Sequence, residues 1–122
     1  MLTSQLFDIN NKVVVVTGAS GFIGSEISCS LAEVGCKVTL LFNNNSPSEE
    51  IITRLSKSNS DFEIFKCDVT NDEDIISCKD KILNKFGTID ALINCAGGNH
   101  PDATTGSENS FFNIPADAFE WV

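Results

Sequence analysis

Lys12-Val13-Val14-Val15-Val16-Thr17-Gly18-Ala19-Ser20-Gly21-Phe22-Ile23-Gly24 is the stretch from which the fold is read. Its β-branched run has no polar alternation, which predicts a strand buried on both faces. Glycines follow at once. Ile23, Ile27, Leu31 and Val34 then recur every three or four residues, the spacing of a helix with an apolar stripe, and Gly35 is its expected stop. Gly18 permits a tight turn out of the strand, Gly21 keeps side chains away from an approaching pyrophosphate, and Gly24 lets the helix lie close to the sheet. The helix start offers unpaired N–H groups and the positive end of a dipole to an anion. Strand, glycine turn and helix together predict dinucleotide binding, with a purely structural turn as the alternative.

The same alternation continues outward. Lys37–Phe42 reads as a second buried strand. Ser46-Pro47-Ser48-Glu49 supplies a cap, a first-turn proline and a capping glutamate for a short helix through Ile51, Ile52 and Leu55. Phe62–Cys67 is the third strand. Thr70-Asn71-Asp72-Glu73 reads as a capping box for a helix running to Phe86 and stopped by Gly87, and Asp90–Asn94 is the fourth strand. Strands alternating with helices predict an α/β fold, a Rossmann-like doubly wound parallel sheet of order 3-2-1-4, in one domain over residues 1–122. Residues 96–110 form a polar loop whose length points to function or disorder. Ala116–Val122 looks like the first two turns of a helix that stops in mid-pattern, which reads as truncation to the N-terminal half of such a sheet. Ala91–Ile93 is then an open apolar edge, and marginal stability or association through it is expected.

Composition narrows the function. Eight Lys+Arg against seventeen Asp+Glu give a formal charge of -9, which argues against nucleic-acid and anionic-membrane partners. The five cysteines, at positions 29, 36, 67, 78 and 95, have no CxxC spacing and only one histidine beside them, so no metal site is expected. Most lie in apolar surroundings and read as free thiols of a reducing compartment. Met1–Val16 has no basic segment leading into a long apolar core, so no signal peptide is read and a cytoplasmic location is the default.

Thr17-Gly18-Ala19-Ser20-Gly21-Phe22-Ile23-Gly24, Asp68-Val69 and Asn94-Cys95-Ala96-Gly97, in that order, resemble the motifs of the short-chain dehydrogenase/reductase family. The run from Leu92 to Thr105, with its Gly97-Gly98-Asn99-His100-Pro101 loop, and the aromatic residues Phe111, Phe112, Phe119 and Trp121 resemble the D-mannonate oxidoreductase (fructuronate reductase) branch. The resemblance implies that Gly18, Ser20, Gly21 and Gly24 line the pyrophosphate of NAD or NADP and that Phe22 and Ile23 close over it. Asp68 and Val69 would meet the adenine, and Asn94, Ala96 and Gly97 the floor beneath the ribose. Asp68 also reads as a helix-start cap before Thr70.

At the end of the second strand an acid would select NAD and an arginine NADP. Phe42-Asn43-Asn44-Asn45 stands there instead; Asn43 can bond a ribose hydroxyl but brings no cation, which leans the expectation to NAD. His100 reads as a loop hydrogen-bonding residue or as a substrate-facing one. The resemblance further implies a sugar-acid substrate and a homo-oligomeric complete form. It also implies a catalytic tyrosine, a lysine four residues beyond it, a serine and an asparagine, all past the position of Val122. The chain has no tyrosine, so no catalytic residue is assigned and no turnover is expected from it alone. A nucleotide-sugar epimerase or dehydratase and a non-catalytic nucleotide-binding module are the competing readings.

Overall fold

The computed structural model describes residues 3–122, with side chains from residue 5 onward. The reading of Met1–Val16 as lacking a signal sequence, and the domain boundary at residue 1, include Met1 and Leu2, which lie outside the described residues. A short helix α1 (Thr3–Leu6), which the sequence reading did not anticipate, precedes β1 (Val13–Thr17), α2 (Phe22–Glu33), β2 (Lys37–Phe42) and α3 (Glu49–Lys57). β3 (Phe62–Lys66), α4 (Asp72–Phe86), β4 (Ala91–Asn94) and α5 (Ala116–Trp121) complete the order. The strands form one parallel four-stranded sheet of order β3-β2-β1-β4, as expected. Val16 lies beside Leu40 of β2 and Ile93 of β4.

Two-residue periodicity splits the valines of β1 between the sheet faces. Val14 and Val16 pack with Cys29 and Ala32 of α2, Val38 and Leu40 of β2, and Leu55 of α3. Val13 and Val15 face Leu41, Cys67, and Cys78 and Ile82 of α4. Helices thus cover both faces, which is why β1 carries no polar alternation and even Thr39 of β2 is buried. The outer strands depart from that pattern: β3 is only half-buried, and β4 is largely exposed, with Leu92 57% accessible.

The core face of α2 corrects the sequence reading. The buried positions are Gly24, Ser25, Ser28, Cys29 and Ala32, whereas Ile23 and Val34 are exposed. Small side chains let the helix axis approach the strands, so close packing selects the face rather than the bulk of its aliphatic residues. Ser28, which looks polar in sequence, satisfies its hydroxyl on the Gly24 carbonyl at 2.7 Å. The helix ends as foreseen: Gly35 has φ +94°, and the N–H groups of Gly35 and Cys36 donate to Ala32 and Leu31 in a Schellman arrangement.

Two caps shift. Ser48, not Ser46, caps α3 by accepting from Ile51 N–H, which leaves Pro47 before the helix instead of in its first turn. Asn71, not Thr70, caps α4, accepting from Glu73 and Asp74 N–H at 2.9 and 3.2 Å. Thr70 is diverted because its hydroxyl donates to Asp68. Residues 96–110 are not featureless either. His100 Nδ1 accepts from Asp102 N–H to start a 3-10 turn at Pro101–Ala103, and Asn109 Nδ2 donates to the carbonyls of Asp102 and Thr104.

Arg54 of α3 forks onto α2, with Nη1 2.7 Å from Glu26 Oε2 and Nε 2.5 Å from Glu33 Oε1. The Arg54 hydrogen bonds hold both carboxyls below their ordinary value of 4.5. Because the folded values are depressed, the stabilisation is present above the ordinary carboxylate range and is lost as pH falls through the lowered values. Arg54→Met is therefore expected to lower the urea midpoint at neutral pH and to converge on the parent at strongly acid pH. A constant offset across an acid titration of the midpoint contradicts the assignment.

The exposed edge has its own expected signature. Amides of Ala91–Asn94 in a dilute monomer should exchange at least about a hundredfold faster than those of Val38–Leu41. Equal protection of the two strands contradicts the open edge.

Candidate functional site

Gly18, Asn43, Asp68 and Asn94 each lie at or just beyond the C-terminal end of a parallel strand. The strands run side by side in register, with Thr17 opposite Asn94 and Phe42 opposite Lys66, so these residues lie along a single edge of the sheet. In open α/β sheets this edge is where ligands bind.

Two glycines of the turn are demanded by close contact. Gly18 has φ +60°, and a Cβ there would sit 2.5 Å from the Cys95 carbonyl oxygen and 2.6 Å from Ala96 N. A Cβ on Gly24 would collide with the Gly18 carbonyl. Gly21 is less crowded, its Cβ falling 3.3 Å from that same carbonyl. Together they draw β1, the start of α2 and the exit of β4 into one cluster. Ser20 is half-buried beside them, and Phe22 and Ile23 project outward, 93% and 67% exposed.

The electrostatics single out α2 from the other two long helices. α3 and α4 open with acidic first turns, Glu49-Glu50 and Asp72-Glu73-Asp74, and each is capped by a side chain. α2 has no acidic residue in its first turn, and its N-cap, Gly21, offers no side chain. The N–H groups of Phe22, Ile23 and Gly24 have no acceptor among the described residues. An uncapped helix start at the carboxyl edge of a parallel sheet is the arrangement that suits an anion.

Asp68 does not cap α4. Its Oδ1 accepts from the hydroxyl and the N–H of Thr70, at 2.6 and 2.9 Å, and these bonds, the hydroxyl first, hold its carboxyl below the ordinary range. Its own N–H donates to Asp74 Oδ2 at 3.0 Å. Oδ2 of Asp68 has no partner among the described residues, which leaves an oriented, ionised acceptor. Val69 beside it is 41% exposed. Asn43 is exposed after β2 and Asn94 at the end of β4, while Ala96 and Gly97 continue the backbone past Gly18.

Thr17 escaped the sequence reading as a site residue. Its buried Oγ1 accepts from both Cys95 N–H and Ala96 N–H, at 3.2 and 3.1 Å, so one hydroxyl ties the exit of β4 to β1. A threonine ending an all-valine strand was the available signal. Asp90 performs the same service at the other end, its carboxylate accepting from Val13 N–H at 2.8 Å. His100 serves the loop, and its ring meets that of Trp121 edge-on at 5.1 Å between centroids. Among the described residues no cluster of His, Cys, Asp or Glu could hold a metal. None of their helices is long and apolar enough to cross a membrane.

A parallel sheet of this order, wound by helices on both faces and opening at its carboxyl edge on a glycine turn, defines the class: a Rossmann-like α/β domain. Residues 12–114 match the short chain dehydrogenase family. The chain belongs to that family of oxidoreductases. It is 30% identical to an uncharacterized oxidoreductase of Haemophilus influenzae over 94% of this chain and 44% of that one. A crystal structure of a candidate D-mannonate oxidoreductase from Haemophilus influenza with bound NAD superposes with a TM-score of 0.76 at 27% identity, over 99% of this chain and 47% of that one. NAD-bound xylitol dehydrogenase superposes with a TM-score of 0.69 at 36% identity, over 75% and 35%. The chain spans less than half the length of these relatives.

Proposed function

We propose that the chain is the cofactor-binding portion of an NAD(P)-dependent oxidoreductase acting on a sugar acid of the mannonate and fructuronate type. The observation that carries the cofactor reading is the start of α2, which alone among the three long helices is left uncapped and free of carboxylates. The N–H groups at 22–24 take the pyrophosphate, with Gly18, Ser20, Gly21 and Gly24 admitting it and Phe22 and Ile23 covering it. Asp68 Oδ2 accepts from the adenine amine beside Val69, Asn43 meets the ribose hydroxyls, and Asn94, Ala96 and Gly97 form the floor. The absence of a cation at Asn43–Asn45 favours NAD over NADP.

When bound, the nicotinamide supplies the hydride chemistry. This chain holds and orients the dinucleotide and contributes no tyrosine acid, so it is inactive alone in this reading. The sugar-acid assignment is supported by the Gly97–Pro101 loop and by the alignment along nearly the whole chain with the candidate mannonate oxidoreductase. No Lys or Arg follows Lys85, so the Gly97–Pro101 loop offers no cation of its own and a substrate carboxylate must find its charge partner elsewhere. The complete form is assigned as a cytoplasmic homo-oligomer that takes a small-molecule substrate and neither nucleic acid nor membrane.

Fluorescence titration of the purified chain with NADH and NADPH tests the cofactor reading. Saturable binding with NADH preferred is expected. Asp68→Ala should weaken it about tenfold through loss of a charge-assisted bond, while Thr70→Val, which touches only the turn, should weaken it less. A folded chain that binds neither nucleotide overturns the reading.

A further inference from the structure

The two sheet faces use their cysteines differently. On the α2 face Cys29 is buried in the cluster, and Cys36 turns its Sγ to the Ile9 carbonyl at 3.2 Å. On the α4 face Cys67, just past β3, and Cys78, in the second turn of α4, share a cluster with Val15, Leu41 and Ile82. The Cys78 thiol donates to the carbonyl of Lys66 at 3.5 Å, which aims it at the residue before Cys67. The Cys78 sulfur thus stands beside the peptide unit that joins Lys66 to Cys67. Both thiols are free, and both line an apolar groove of ≈ 350 Å³ between α4 and β4, bordered by Ile75, Ile89 and Leu92. The cofactor chemistry uses neither sulfur.

We propose that Cys67 and Cys78 form a modification site, a dithiol that a small hydroperoxide entering through this groove converts into an intramolecular disulfide. One sulfur, as its thiolate, attacks the O–O bond, becomes a sulfenic acid and releases water. The neighbouring sulfur then attacks it, the S–S bond forms, the S–O bond breaks, and a second water leaves. Two thiols and one hydrogen peroxide become one disulfide and two waters, and two electrons pass from sulfur to oxygen. Burial first, then the neighbouring Cys78, pushes the Cys67 thiol up to about 11, so the first step is slow at neutral pH and the site responds to sustained oxidant. The inference goes beyond the nucleotide reading and does not depend on it.

The sequence makes the test direct. Cleavage after Lys66 and Lys79 releases residues 67–79 as one peptide carrying both cysteines. The reduced, folded chain is treated with hydrogen peroxide, alkylated and digested. This peptide is expected to lose two hydrogens and to resist alkylation, while Cys29 and Cys36 remain alkylated. Closure should run at least about tenfold faster in the folded chain than in urea, because folding holds the sulfurs together. Cys36→Ser should leave the closure intact, and Cys78→Ser should abolish it, leaving Cys67 as a thiol open to alkylation or as a sulfenic acid trapped by dimedone. Closure no faster in the folded chain, linkage of Cys67 to another cysteine, or full alkylation of both after Cys95 has been oxidised overturns the proposal.

Discussion

Gly24→Ala is expected to destabilise the chain by about 3 kcal/mol and to remove NADH binding, although it adds a single methyl group. The added Cβ meets the Gly18 carbonyl, an atom of backbone with no rotamer to yield. Relief requires α2 to move away from β1. That motion opens the small-residue contact formed by Ser25, Ser28 and Ala32, and it displaces the N–H groups of residues 22–24 from the strand edge. Stability and binding therefore fall together. Gly106→Ala is the control, because a Cβ there meets nothing within 4 Å. A urea midpoint for Gly24→Ala within error of the parent contradicts the packing argument.

The second large effect is expected at Thr17. Thr17→Val keeps the shape of the side chain and removes the oxygen that accepts from Cys95 and Ala96. Two partly buried N–H groups then lose their acceptor, at a cost of about 3 kcal/mol. Thr17→Ser retains the acceptor, sacrifices only a methyl group, and should recover most of the loss. The damage is local to the exit of β4, so amide exchange at Cys95 and Ala96 should accelerate in Thr17→Val and much less in Thr17→Ser. Equal stability of the two variants would show that volume, not the hydroxyl, holds the turn.

These two positions mark the boundary of what sequence makes legible. Gly24 is visible because glycine spacing reports a backbone constraint directly. Thr17 is not, because its importance lies in a contact with residues far along the chain, and it otherwise reads as the last residue of a β-branched strand. Sheet order was legible for a related reason. Four runs of strand-forming residues separated by helical spacing leave few unknotted, right-handed arrangements. The packed face of α2 was misread because periodicity counts large apolar residues, whereas the helix approaches the sheet along Gly24, Ser28 and Ala32. The cap of α4 shifted for a local reason: the Thr70 hydroxyl and N–H are both taken by Asp68, the Asp68 N–H by Asp74, and Asn71 is the side chain left to accept from Glu73 and Asp74. The long loop hid its order in His100 and Asn109, whose side chains bond to backbone rather than to a core.

The account rests on the dinucleotide lying along the carboxyl edge of this sheet with its pyrophosphate on α2. Amide chemical-shift mapping of the labelled chain during NADH addition tests that claim most directly. The expected result is saturable shifts at Gly18, Gly21–Gly24, Asp68, Val69, Ala96 and Gly97, with the amides opening α3 and α4 unmoved. Shifts confined to Ile75, Cys78, Ile82, Ile89 and Leu92 of the groove between α4 and β4, or a response at Glu49–Glu50 and Asp72–Asp74 equal to that at Phe22–Gly24, would contradict it.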